Sequence, residues 1–262
     1  MPFANNSIDG TKIHYEVEGS GPPLLLVHGF SGWARNWVNY GYVDALKNDY
    51  RLVMYDVRAH GDSGHPHGLE SYTPELHVHD ALAVLNDLRI DRTHYFGYSF
   101  GSWIGYAILK YAPRHLLSFV GGGSDPYHRK SPLLGNIIES RKDGLEAALA
   151  ATEERNGRLS DVERAAYLKQ DSDAQIAAIT VRSDTPGLSE GLSSITQPVL
   201  AFAGTEDGNH DFVEKAAGEM PTASFVSLDG LDHGAAFRRS DVVLPHLTKF
   251  LTGVESARAL VT

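Results

Sequence analysis

Leu24-Leu25-Leu26-Val27 is apolar without a break, flanked by Pro23 and by His28-Gly29. A strand with one wet face alternates polar and apolar residues, whereas a strand with no wet face reads as a continuous apolar run. This segment must therefore be covered on both sides. Arg51 to Tyr55 has similar character, and Tyr95-Phe96, Leu116 to Val120, Pro198 to Ala203 and Ser224 to Leu228 read as further strands. Helical stretches alternate with them. Glu75 to Leu88 carries Leu76, Leu82, Leu85 and Leu88 near one face. Ser102 to Tyr111 follows the third of these strands, and Asp241 to Leu251 closes the chain. Such alternation predicts a mostly parallel sheet with helices on both faces. The start differs. Asp9-Gly10 is a hairpin signal, and Lys12 to Val17 alternates as a half-buried strand should. An antiparallel hairpin is expected at the leading edge.

One region breaks the pattern. From about Ser124 to Ser194 no convincing strand is found. Gly144 to Asn156 and Asp161 to Lys169 are rich in Ala, Glu and Arg and read as helices, with Ser160-Asp161-Val162-Glu163 in capping form. The expectation is an α/β sheet core made of residues 1–123 and 195–262, with 124–194 inserted as helices. A length of 262 residues fits one such domain, and Glu255 to Thr262 are expected to fray.

Several classes are disfavoured. A formal net charge of -10 opposes binding to nucleic acid or to an anionic membrane surface. No apolar run approaches bilayer length. The start, MPFANNSIDG, lacks a basic stretch followed by an apolar core, so no signal peptide is expected. Cysteine is absent, which removes disulfides, thiolate catalysis and cysteine-based zinc sites, and is compatible with the cytoplasmic location expected here.

Chemistry gathers around Gly97-Tyr98-Ser99-Phe100-Gly101, between a strand and a helix. A serine at such a corner is exposed above the carboxyl edge of the sheet, and flanking glycines remove side chains that would collide there. The following helix turns its N–H groups and positive dipole end toward the site. A serine hydroxyl needs a base. Of thirteen histidines, His233 lies in a loop after the last strand, at the same sheet edge as Ser99. His77 and His79 are two apart on a helix and face different ways. His65 and His67 fall in a Pro/Gly loop. His14, His94, His115, His210 and His246 read as surface or strand residues. No metal-binding spacing stands out, so neither a metal nor a cofactor is expected. The orienting carboxylate is assigned to Asp207, in a loop after a strand. Asp125 competes from one strand earlier, with Glu206 and Asp211 close to Asp207 in sequence. Two backbone N–H groups should receive an oxyanion: that of Phe100, and that of Phe30 in His28-Gly29-Phe30.

Together, His28-Gly29-Phe30, Asp56-Val57-Arg58-Ala59-His60-Gly61-Asp62-Ser63, Gly97-Tyr98-Ser99-Phe100-Gly101, Gly204-Thr205-Glu206-Asp207 and Gly230-Leu231-Asp232-His233 resemble the α/β-hydrolase superfamily over nearly the full chain. The resemblance implies an eight-stranded sheet, a helical cap at 124–194, and acyl transfer through an ester on Ser99, with the order Ser, Asp, His. Ala59 stands where the family's D-x-R-G-x-G-x-S signature has its first glycine. Asp56 and Arg58 are expected to hold that turn, with Ser63 on the site wall. Phe30, Trp33, Trp37, Tyr98, Trp103 and Tyr127 are candidate pocket residues. His128, Arg129 and Lys130 form a basic cluster near the cap entrance, read as solvated surface or as a receiver of a substrate carboxylate. The expected activity is hydrolysis of small to medium carboxylic esters, small molecules being the partners. C–C bond hydrolysis, lactone hydrolysis and a perhydrolase side activity use the same residues, and a ligand receptor on this fold is the non-enzymatic alternative. Ser99 argues against dehalogenases and epoxide hydrolases of the superfamily, which place aspartate there.

Overall fold

In the computed structural model, which describes residues 2–128 and 132–260, eight strands form one sheet in the order β1-β2-β4-β3-β5-β6-β7-β8. They are β1 (Phe3–Asn5), β2 (Lys12–Glu18), β3 (Pro23–Val27), β4 (Arg51–Tyr55), β5 (Thr93–Tyr98), β6 (Leu116–Gly122), β7 (Val199–Gly204) and β8 (Ala223–Leu228). β1 and β2 form the antiparallel hairpin at the edge, and β2 pairs antiparallel with β4. Every pairing from β4 to β8 is parallel.

The apolar run of β3 sits at the centre. Leu25 and Val27 pack on one face with α3 (Pro74–Asp87) and α4 (Phe100–Tyr111), through Val78, Ala81, Ile104 and Ala107. Leu24 and Leu26 pack on the other, where Trp37 of α1 (Asn36–Asn39), Leu46 of α2 (Tyr42–Leu46) and Val243 and Leu247 of the C-terminal helix meet them. Alternate residues of one strand thus serve two separate cores. The order also turns at β3, which has β4 on one side and β5 on the other. In parallel sheets a crevice opens at the carboxyl ends of such strands.

Between β6 and β7 the described residues form four helices and no strand: α5 (Pro132–Lys142), α6 (Leu145–Asn156), α7 (Asp161–Tyr167) and α8 (Ser172–Asp184). The capping box at Ser160 and Glu163 is present. α9 (His210–Gly218) follows β7, and α10 (His233–Arg238) and α11 (Ser240–Ala259) follow β8. None of the described helices is long and apolar enough to cross a membrane.

Three expectations need correction. The buried stripe of α3 runs through His77, Asp80, Ala81, Val84 and Leu85, with Leu76, Leu82 and Leu88 only half-buried. α11 does not end at Glu255 but continues to Ala259, and Glu255 reaches the buried ring of His94 at 3.0 Å. Ser63 is not on the site wall. It is buried, donating to the Asp56 carbonyl and accepting from His14 N at 2.9 Å. The turn it closes is held as expected. Asp56 accepts from His14 Nδ1 and from the N–H groups of Ala34 and Asp62. The buried Arg58 guanidinium makes two 2.6 Å bonds to Asp80 and one of 2.9 Å to Asp9. Ala59 takes the left-handed conformation, φ 67°, that the glycine would have taken freely.

Candidate active site

Ser99 stands between β5 and α4 with φ 52° and ψ -112°. Positive φ is uncommon outside glycine and marks stored strain. The corner is fixed by Ser99 N donating to Gly122 O at 2.7 Å and Trp103 N to Ser99 O at 3.0 Å. The flanking glycines are steric necessities. A Cβ on Gly97 would lie 2.4 Å from Gly101 O, and one on Gly101 would lie 2.0 Å from Val27 O. The α4 N-terminus, with its partial positive charge, therefore abuts the hydroxyl.

Three side chains from three strand ends meet here. His233 Nε2 lies 2.9 Å from Ser99 Oγ, and His233 Nδ1 lies 2.7 Å from Asp207 Oδ2. Asp207 is buried, and its other oxygen accepts from Asn209 N at 2.9 Å. His233 is the first residue of α10, whose N-cap is Asp232. The Tyr98 hydroxyl donates to the His233 carbonyl, and its ring stacks on Phe237 at 4.6 Å. Asp125 is buried too, but its Oδ1 accepts from Tyr127 N at 3.0 Å, and the carboxylate against His233 is that of Asp207.

The loop after β3 passes beside the serine. A Cβ on Gly29 would be 3.2 Å from Ser99 Cβ, a tight contact that would press on the serine. Two buried histidines hold this loop. His28 Nε2 accepts from Val57 N at 3.0 Å while its Nδ1 faces Gly29 O at 2.8 Å. His60 Nε2 accepts from Ser31 N at 3.0 Å while its Nδ1 faces Arg58 O. A nitrogen that accepts carries no proton, so both rings are neutral with the proton on Nδ1. Burial lowers the pKa of each, most strongly for His60. From the helical insertion, Gln170 Nε2 donates to Ser31 O at 2.7 Å, and Arg141 Nη2 donates to Ser31 Oγ at 2.7 Å. Phe30 packs edge-on against Phe100 at 5.8 Å.

Two cavities meet at Ser99 and His233. One, of about 170 Å³, has Trp33, Tyr40, Tyr98, Leu159 and Phe237 on its walls. The other, of about 520 Å³, runs past Phe30, Phe100, Leu134, Ile137, Arg141 and Arg182. Trp33 and Tyr98 line the smaller cavity. Trp37, Trp103 and Tyr127 are not among the described lining residues. Trp37 has no exposure and packs on Phe96 and Phe237. Trp103 stacks on Phe100 at 5.5 Å, one layer back. The Tyr127 ring lies under Lys215 Nζ at 4.5 Å. Aromatic character near a site motif does not distinguish a wall from the packing behind it. Of the basic cluster, His128 is exposed with Nδ1 2.7 Å from Thr185 O, and Arg129 and Lys130 lie outside the described residues.

Among the described residues, two groups have spacing compatible with a cation. His14, Asp56 and Asp62 are one; His210, Asp211 and Glu214 are the other. In the first, Asp56 is already saturated by the turn it organises. The second is half-buried to exposed.

Comparison with known proteins agrees with this architecture. A family model for the alpha/beta hydrolase fold matches residues 22–191. An uncharacterized hydrolase, YraK, of Bacillus subtilis is 39% identical over 98 residues, 37% of this chain; the match spans 35% of YraK's own length. An enol-lactonase from Burkholderia xenovorans LB400 superposes with TM-score 0.84 at 23% identity, over 96% of this chain and 100% of that one. An esterase from Exiguobacterium antarcticum superposes with TM-score 0.84 at 20% identity, over 96% and 100% of the two chains. At that identity the superpositions speak for the fold alone. With the serine corner, the sheet order and a family match over most of its length, the chain belongs to the alpha/beta hydrolase fold family.

Proposed function

We propose that this chain is a serine hydrolase acting on carboxylic esters of small to medium acyl chain, with Ser99 as nucleophile, His233 as base and Asp207 as the group that orients it. The observation that carries the reading is the continuous line Asp207–His233–Ser99, at 2.7 and 2.9 Å, ending on a hydroxyl at a strained corner. Asp207 keeps the His233 proton on Nδ1, leaving Nε2 free to take the proton of Ser99 as Oγ attacks an acyl carbonyl. The N–H groups of Phe30 and Phe100 make no hydrogen bond to any described residue and flank the serine, which suits them to receive the oxyanion. His233 then returns the proton to the leaving alcohol and activates water against the acyl-enzyme. Residues 124–194 act as a cap in this reading. Their helices supply Thr152, Tyr167 and Arg141 to the cavity walls.

Lactone hydrolysis is the second reading, since the same Asp207–His233–Ser99 line would serve it. It uses the same steps, with the leaving alcohol tethered to the acyl group.

The test is hydrolysis of 4-nitrophenyl esters from acetate to long acyl chains, by the wild type and by Ser99→Ala. Turnover that peaks at short or medium chains and disappears in the variant is expected. A folded wild type inert on every ester and on simple lactones would reject the reading.

A further inference from the structure

Arg141, near the end of α5, is 2% exposed, yet it forms no ion pair with any Asp or Glu among the described residues. Its partners are neutral oxygens. Nε donates to Gln175 Oε1 at 2.7 Å and Nη1 to the Tyr167 hydroxyl at 2.8 Å. Nη2 donates to Ser31 Oγ at 2.7 Å and Gln170 Oε1 at 3.1 Å. Four of the five guanidinium N–H groups are thus used, one on Nη1 is left over, and the charge has no counter-charge. The group lies 5.2 Å from the centroids of both the Phe30 and Tyr167 rings.

This arrangement is costly unless something anionic arrives. A buried cation is ordinarily paired, and the one N–H left over on Nη1 is the donor that a carboxylate would meet. Arg141 is on the wall of the larger cavity, which Ser99 and His233 also line, and so is Arg182, whose guanidinium lies 4.8 Å from the Trp103 ring. The acids of the same cavity are engaged elsewhere. Asp207 holds His233, Asp232 caps α10 through Ala235 N, Asp125 accepts from Tyr127 N, and Glu206 is exposed. The chain as a whole repels anions, with a net charge of -10. Any preference for an anionic substrate must then be local.

We infer that the natural substrate carries a carboxylate besides the bond that is cleaved, and that Arg141 binds it. This rests on the hydrolase reading for the bond cleaved, but not for the binding. The alternative is that Arg141 is a clasp, fastening the insertion to the Phe30–Ser31 loop.

The two are separated by substrate pairs. The mono-4-nitrophenyl esters of succinate, glutarate and adipate are each compared with the same compound methylated on its free carboxyl group. In the wild type, kcat/KM for at least one anionic member should exceed that of its neutral partner about tenfold or more. In Arg141→Gln that ratio should fall about thirtyfold or more, chiefly through KM, as expected when one side of a buried charge pair is removed. Arg141→Lys should fall between. A clasp would lower both rates together and leave the ratio unchanged, which would overturn the inference. So would a wild type that prefers the neutral member of all three pairs. If Arg141→Gln does not fold, the wild-type ratios decide. If no ester is turned over, the hydrolase reading fails separately, and calorimetric titration of the wild type with succinate, glutarate and adipate tests the binding. Saturable binding of one of them supports the carboxylate site, and absence of binding by all three removes it.

Discussion

His77 offers the sharpest test of the packing behind the site. It is buried on α3, 1% exposed, with its ring edge-on to Phe100 at 5.3 Å and to Trp103 at 5.9 Å. Neither ring nitrogen has a hydrogen-bond partner among the described residues. Burial, with the nearby Arg58 charge adding to it, pushes its pKa well below the ordinary histidine value. The folded protein therefore keeps His77 neutral while the unfolded chain protonates it below about pH 6.5. More protons on the unfolded chain means that stability rises with pH and is lost on acidification. The loss begins near the unfolded pKa and continues down to the depressed folded one. Between about pH 7.5 and about pH 5.5 one such group removes at most roughly 1.4 kcal/mol. His77→Phe abolishes this contribution. Its own packing cost is independent of pH, so the quantity to follow is a difference of differences. Urea unfolding of both proteins at each pH should show the variant gaining on the wild type, by up to about 1.4 kcal/mol, as the pH falls across that window. His60 and His28 remain in both proteins and cancel. A stability gap that stays flat with pH would mean that His77 is protonated inside the fold, and the account of this core would be wrong.

Asp207→Asn should leave the fold intact and lower kcat on the best ester by about four orders of magnitude, because an amide favours the wrong histidine tautomer; stopped assays with circular dichroism as control check both parts. Gly101→Ala puts a Cβ 2.0 Å from Val27 O, so backbone must move at the centre of the sheet. A loss of about 3 kcal/mol or more, read from urea midpoints, is expected, and a fully stable variant would refute the claim of close approach.

The sheet was legible because its signals are local. An uncut apolar run, a hairpin dipeptide and a serine between glycines each state their conformation within a few residues. β3, β5, β7 and β8 all fall within two residues of the limits read from sequence, β5 extending Tyr95-Phe96 by two residues at each end. The insertion was less legible. α8 buries Ala174, Ala177 and Ala178 against Ala59 and Tyr72, and a stripe of alanines carries little hydrophobic contrast. α5 carries Gly135 near its start, which weakens its helical signal. Pocket residues fared worst, since Trp37 and Trp103 differ from Trp33 only in which side of a wall they occupy.

The support of the Phe30–Ser31 loop was illegible for a different reason. His28 and His60 were visible as parts of motifs, but their work is to accept N–H groups 29 residues away in sequence. Gln170 and Arg141 reach the same loop from 139 and 110 residues away. No local pattern requires glutamine or arginine at those helical positions. They become meaningful only once the sheet brings the loop beneath the insertion. This explains why the nucleophile of such a chain reads more easily than its substrate. The serine corner is dictated by backbone sterics that any member of the fold must satisfy. The walls are dictated by what must be bound, through side chains that the backbone would accept in many other forms. A buried arginine surrounded by neutral acceptors is therefore more informative about the substrate than the glycines and the serine, whose geometry would be the same for any acyl group.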